Sequence, residues 1–247
     1  MRYEMSQPLA IDTNRSERAL FIRRTYAHLA GAIFAFIALE ALIFGTLRTM
    51  VGTAEFHNFM IGVFQNRLTF FVLLAGFIGV SYLARFWANN GGSAAMQYAG
   101  LGLYVVAEAI IFVPLLYVAI FFSTPGEPGK GMETVAQAGI LTMCLFAGLT
   151  ATVFITRKDF SFLGPIICIA GFIALGVILC AMLFTISLGF WFSLAMIVLA
   201  AGAILYDTSN ILHHYRMDQH VAASLSLFAS VALLFYYVLL ALMQSRR

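Results

Sequence analysis

Charge is scarce in this chain. Of its 247 residues only 10% are Asp, Glu, Lys or Arg, against 62% hydrophobic, and the mean hydropathy is +0.93. One soluble core cannot cover so much apolar surface, which excludes a water-soluble globular protein and leaves an integral membrane protein. The ten-residue alternating segments of a transmembrane barrel are missing, so the spans are helices. Long polar stretches are missing too. The longest are the tail 1–24, the segment 50–67 and the loop 123–133, and none can hold a soluble domain. The two lysines, Lys130 and Lys158, both fall in loops, which excludes a retinal-type Schiff base inside a span. Cys144, Cys168 and Cys180 lie inside apolar runs with no CxxC pair and read as small buried hydrophobes. Ser-His and His-Glu-x-x-His arrangements are absent, and no metal-ligand set or cofactor motif is readable. The loop "STPGEPGKGME" fails the Walker pattern, because two residues separate Gly126 from Gly129 and Gly131 follows Lys130.

Apolar length is what the chain has in abundance. A helix needs about 20 apolar residues to cross a bilayer, and seven runs qualify: 25–49, 68–88, 96–122, 134–156, 163–184, 188–212 and 221–243. The fold class is therefore all-α, a polytopic protein with one membrane domain over 25–243. The tail 1–24 has no compact apolar stretch ending in a cleavage site and is expected to be retained. Nine basic residues fall on the side of the N-terminus (Arg2, Arg15, Arg18, Arg23, Arg24, Arg85, Arg157, Lys158, Arg216) and five on the other (Arg48, Arg67, Lys130, Arg246, Arg247). That asymmetry places the N-terminus in the cytoplasm and the short tail 244–247 outside. The net charge of +3 reflects this topology and makes no case for nucleic-acid binding. Tyr26 belongs at the cytoplasmic headgroups, and the Phe-rich segment 51–66 along the outer interface.

Three acids lie within the spans, where an ionisable group costs at least about 2.5 kcal/mol at the centre and calls for a reason. Asp207 sits about 8 Å from the cytoplasmic end of the sixth run, and its helical face continues through Asn210 to His214. This stripe could carry a proton or cation between the cytoplasm and Asp207. Glu108 is deeper, about 18 Å into the third run, with Pro114 two turns later. Glu40 is past the midpoint of the first. The seventh run contains no acid but carries Ser224, Ser226 and Ser230 among small residues, as close helix contacts in lipid require, so this helix is expected to be surrounded by the others. The Tyr206-Asp207 pair resembles half of an intramembrane aspartyl protease, but the second acid that shared-proton chemistry needs is missing from the seventh run. No enzyme is expected.

"AGAILYDTSNILHH" at 201–214 and "TRKDFSFLGP" at 156–165, with "RRTYAHLAG" at 23–31, resemble the signature segments of the Bax inhibitor-1 family. The wording is most similar to the family's bacterial branch, YccA-like, which implies a bacterial inner (cell) membrane. The resemblance implies six helices wrapped round a central seventh. For members with two carboxylates, one in each of the last two spans, it implies a pH-sensitive calcium leak. Asp207 matches the first position; at the second this chain has Ser230, which removes the carboxylate pair that pushes one proton affinity upward. YccA-like members are thought to restrain a membrane-anchored AAA protease, for which the cytoplasmic-side residues Arg157, Lys158 and Asp159 would be the contact. The expectation is thus a pH-controlled calcium or proton leak through Asp207, Glu108, Ser230, Asn210 and His214. The alternative is a non-transporting regulator of a membrane protease or of stress-induced death.

Overall fold

The computed structural model describes residues 15–47, 58, 62, 66–89, 93–122, 130–184 and 186–245. Among them lie seven helices: α1 (Arg15–Leu47), α2 (Arg67–Ala88), α3 (Ala94–Phe122), α4 (Lys130–Thr156), α5 (Leu163–Phe184), α6 (Phe190–His213) and α7 (His220–Ser245). All seven are long and apolar enough to cross a membrane. They coincide with the seven apolar runs, with two extensions. Helix α1 begins at Arg15, inside the expected tail, and α4 begins at Lys130, inside the expected irregular loop. The interfacial segment 51–66 lies almost wholly outside the described residues.

Local signals start the helices where the sequence changes character. Asn66 caps α2, its side chain accepting from the amides of Leu68 (3.0 Å) and Thr69 (3.4 Å), which supplies two of the otherwise orphaned first-turn donors. Helix α3 continues through Pro114 to Phe122.

Helix α7 is the axis of the bundle. It packs against α1, α2, α3, α4 and α6, while α5 leans on α6. Of its apolar window 61% is buried, against 11–44% for the other six, which identifies the helix that has no lipid face. Small residues make this possible: Ala222, Ala223, Ser224, Ala229, Ser230 and Ala232 are all buried, so neighbouring backbones approach closely. Around them Phe36, Phe112, Phe228 and Tyr104 interlock edge to face, with ring centroids 5.1–6.2 Å apart.

Two expectations are corrected. Cys144, Cys168 and Cys180 are exposed on the outer faces of α4 and α5. A thiol is small and apolar enough to face lipid at no penalty, so an apolar setting along the chain did not imply burial in protein. Tyr26 turns inward, its ring 5.9 Å from that of Phe154 and its hydroxyl buried without a hydrogen-bond partner.

Candidate functional site

Asp207 is 5% exposed, on the face of α6 that meets α7. Ser226 and Ser230 are four residues apart on α7 and so share one face. The Ser226 hydroxyl donates to Asp207 Oδ1 at 2.8 Å, and the Ser230 hydroxyl donates to Oδ2. Both carboxylate oxygens are thereby satisfied from the central helix. Charge-assisted bonds of this kind are among the stronger ones available to a buried acid.

The cytoplasmic-side turn between α6 and α7 adds Tyr215, whose hydroxyl interacts with that of Ser226 and lies in the field of Asp207. Burial first, then the neighbouring Asp207 charge, pushes this phenol up to about 12, so it stays a neutral donor. Arg85, near the end of α2, acts electrostatically on Asp207, Glu108, Tyr104 and Tyr215 alike. Its guanidinium carbon stands 5.6 Å from the Tyr104 ring centre. Gly100 sets this position: a Cβ there would lie 2.5 Å from the Ala84 carbonyl oxygen, so only glycine lets the end of α2 press against α3.

Glu108 is 6% exposed, and its hydrogen bond goes to Tyr104 one turn earlier on α3. The structure thus brings Asp207 and Ser230 into direct contact, while the hydrogen bond of Glu108 stays within α3. Asn210 lies in the last turn of α6, its carbonyl accepting from the amides of His214 (2.8 Å) and Tyr215 (2.9 Å).

His214 turns away from Asp207 and towards the loop after α4. Its Nε2 is 3.1 Å from Asp159 Oδ2. The Ser209 hydroxyl donates to Asp159 Oδ1 at 3.2 Å and accepts from the Phe160 amide at 2.8 Å. The Ser161 amide also donates to Oδ1, at 2.9 Å. That amide first, then the Ser161 hydroxyl and His214, holds the Asp159 carboxyl down to about 2. Segments 157–162 and 207–214 therefore form one unit, in which Asp207 faces the core while Ser209 and His214 fasten the loop. Gly164 continues the same fit, since a Cβ there would meet the Tyr206 ring at 2.9 Å. Arg157, at φ 50, and Lys158 remain exposed. Arg157 also borders a cavity of about 360 Å³ with Arg18, whose guanidinium donates to the Leu212 carbonyl at 3.0 Å.

Sequence reasoning missed Arg85 and Tyr215. The arginine was counted only as a positive charge at the cytoplasmic side, and the tyrosine lies outside any span. Ser226 was read as a packing residue. Among the described residues, no three of His, Cys, Asp or Glu come together to hold a metal ion.

Comparison with known proteins places the chain in a family. The chain is 30% identical to an uncharacterized protein, PA2604, of Pseudomonas aeruginosa over 82% of this chain and 90% of that one. It is 31% identical to Cj0236c of Campylobacter jejuni over 81% of this chain and 78% of that one. It is 30% identical to the modulator of FtsH protease YccA of Escherichia coli over 67% of this chain and 71% of that one. No solved structure matches. The family model described as inhibitor of apoptosis-promoting Bax1 matches residues 18–247. Nearly the whole chain is covered by that match, and the protein is a multi-pass membrane protein belonging to the Bax inhibitor-1 family.

Proposed function

We propose that the protein is a proton leak controlled by cytoplasmic pH, and that Asp207 is the group that takes up the proton. One observation carries this reading: the hydroxyls of Ser226 and Ser230 both donate to the buried Asp207 carboxyl, and Tyr215 of the α6–α7 turn lies in the field of that carboxyl. Each hydroxyl can accept and donate, so a proton can be handed along the series without a hydrated ion entering. Calcium is the less suitable ion, since it takes six to eight oxygen ligands with several carboxylates, whereas this site offers one carboxylate and two serine hydroxyls.

Charged Asp207 lies in the field of Arg85 near the end of α2, and protonation removes that attraction. Towards the opposite face the packed rings of Phe36, Phe112 and Phe228 close the route, so this is the shut conformation. Opening requires these rings to separate. The protein is placed in a bacterial inner membrane with its N-terminus in the cytoplasm, a reading supported by the charge asymmetry and by the inner membrane protein YccA of Escherichia coli. The assay is proton uptake into liposomes carrying the purified protein and a trapped pH dye, with calcium uptake measured beside it. Proton flux that falls in Tyr215→Phe supports the relay. Calcium flux without proton flux refutes it.

The second reading is a non-transporting modulator of a membrane-anchored protease. It is favoured by the name of the Escherichia coli relative and by the fixed presentation of Arg157 and Lys158 beside α6. Retention of such a protease by the tagged chain, lost on reversing both charges, supports it. A protein that binds no protease and conducts protons rules it out.

A further inference from the structure

A second polar site lies between α1, α3, α4 and α7. Glu40 of α1 is 7% exposed, yet neither of its carboxyl oxygens has a hydrogen-bond partner. Thr142 of α4 is 2% exposed and its hydroxyl is likewise unpaired. Both line one cavity of about 520 Å³ between α1, α3, α4 and α7. Buried polar groups left unpaired are costly and call for an explanation, and this cavity falls within the usual size of a small-molecule pocket, about 300–1,000 Å³.

The lining specifies the guest. Apart from Glu40 and Thr142 it is hydrocarbon and aromatic, including Phe36, Leu116, Ile120 and Phe235. Ile37, Met132 and Met143 also border it and are 47–56% exposed on the outer surface, so the cavity opens sideways towards lipid. An apolar molecule can therefore enter from the bilayer. At the polar end stand three unpaired acceptor atoms, the two Glu40 oxygens and Thr142 Oγ1, and a primary ammonium carries three N–H donors. A buried carboxylate is best satisfied by a paired cation. A zwitterionic phospholipid head fits poorly, because among the described residues no Lys or Arg lines the cavity to meet its phosphate.

We propose that this cavity binds a lipophilic primary amine, its ammonium held by Glu40 and Thr142 and its chain by the aromatic and aliphatic walls. The site involves none of Asp207, Ser226, Ser230 or Tyr215, although Phe36 and Phe228 of the closed ring cluster form part of its wall.

The test uses the full chain in phosphatidylcholine nanodiscs, with dodecylamine as probe and dodecanol as the uncharged control of equal chain length. Dodecylamine is expected to raise the thermal midpoint and dodecanol to leave it nearly unchanged. In Glu40→Gln the apparent affinity for dodecylamine should fall about tenfold or more, the loss of one charge-assisted interaction. Thr142→Val should weaken it less, and Glu108→Gln should leave it as in the native chain. A second measurement needs no variant: a lipophilic carbodiimide should label Glu40, located by peptide mass, and dodecylamine should protect it. The proposal is overturned if dodecanol stabilises as much as dodecylamine, if Glu40→Gln binds the amine as the native chain does, or if the amine fails to protect Glu40 from labelling.

Discussion

Replacing Ser230 by Ala tests whether the central helix is fastened through Asp207. The substitution removes one hydroxyl that donates to Oδ2 and leaves Asp207, at 5% exposure, with the Ser226 bond alone. A hydrogen bond to a charged group is worth about 1.5–3 kcal/mol in soluble proteins, but bonds between membrane helices average about 0.6 kcal/mol with a maximum near 1.7. Burial of both partners puts this bond towards the upper end, about 1–1.5 kcal/mol, since no water can replace the lost donor. Ser226→Ala should cost less, because Ser226 is only half-buried. The assay is reversible unfolding of the detergent-solubilised protein in increasing SDS, with the two serine variants also made on an Asp207→Asn background. Coupling of about 0.5 kcal/mol or more between Ser230 and Asp207 is expected from residues in contact. A Ser230→Ala variant as stable as the native chain, or a cost that is the same with and without Asp207, would refute the reasoning.

Three further outcomes follow from the same geometry. Gly100→Ala places a Cβ 2.5 Å from a backbone oxygen of α2, so the two helices must part, at about 1–3 kcal/mol by unfolding measurement. Asp159, held down to about 2, contributes stability above the unfolded carboxylate value of about 3.9 and loses it as pH falls through about 2. Its exposure keeps that contribution small. Carbon-13 NMR of the labelled carboxyl should show a midpoint near 2, and an ordinary midpoint near 4 would mean that the loop contacts are not made in solution. Arg157 adopts φ 50 without being glycine, so Arg157→Gly should raise thermal stability by up to about 1 kcal/mol.

How the sequence foretold the structure differs from residue to residue. Span number and position were legible because apolar run length maps directly onto helix length, and the central place of α7 was legible from Ser224, Ser226 and Ser230 on a small-residue background. The meeting of Asp207 with Ser230 was expected from the family resemblance. Direction round the helix was not legible, because every face of a membrane helix is apolar and no polar side marks the outside. For that reason the three cysteines were placed inside when they lie outside, and His214 was aimed at Asp207 when it faces Asp159. Arg85 was missed for a related reason: its position near a helix end explained its charge fully, and its approach to the Tyr104 ring depends on how α2 packs on α3. The cavity of Glu40 and Thr142 depends on four helices at once, and no single segment records it.

The most direct test of the account is the pH profile of proton flux in liposomes holding the native chain or Asp207→Asn. Between about pH 5 and pH 8, a range chosen to span physiological switching, the native protein should conduct more as the cytoplasmic side is acidified. Asp207→Asn keeps the side chain's shape and its capacity to hydrogen-bond Ser226 and Ser230 but cannot gain or lose a proton, so its flux should no longer vary with pH. Absence of flux from the native chain across that range, or an unchanged pH profile in Asp207→Asn, contradicts the claim that proton uptake at Asp207 controls a leak.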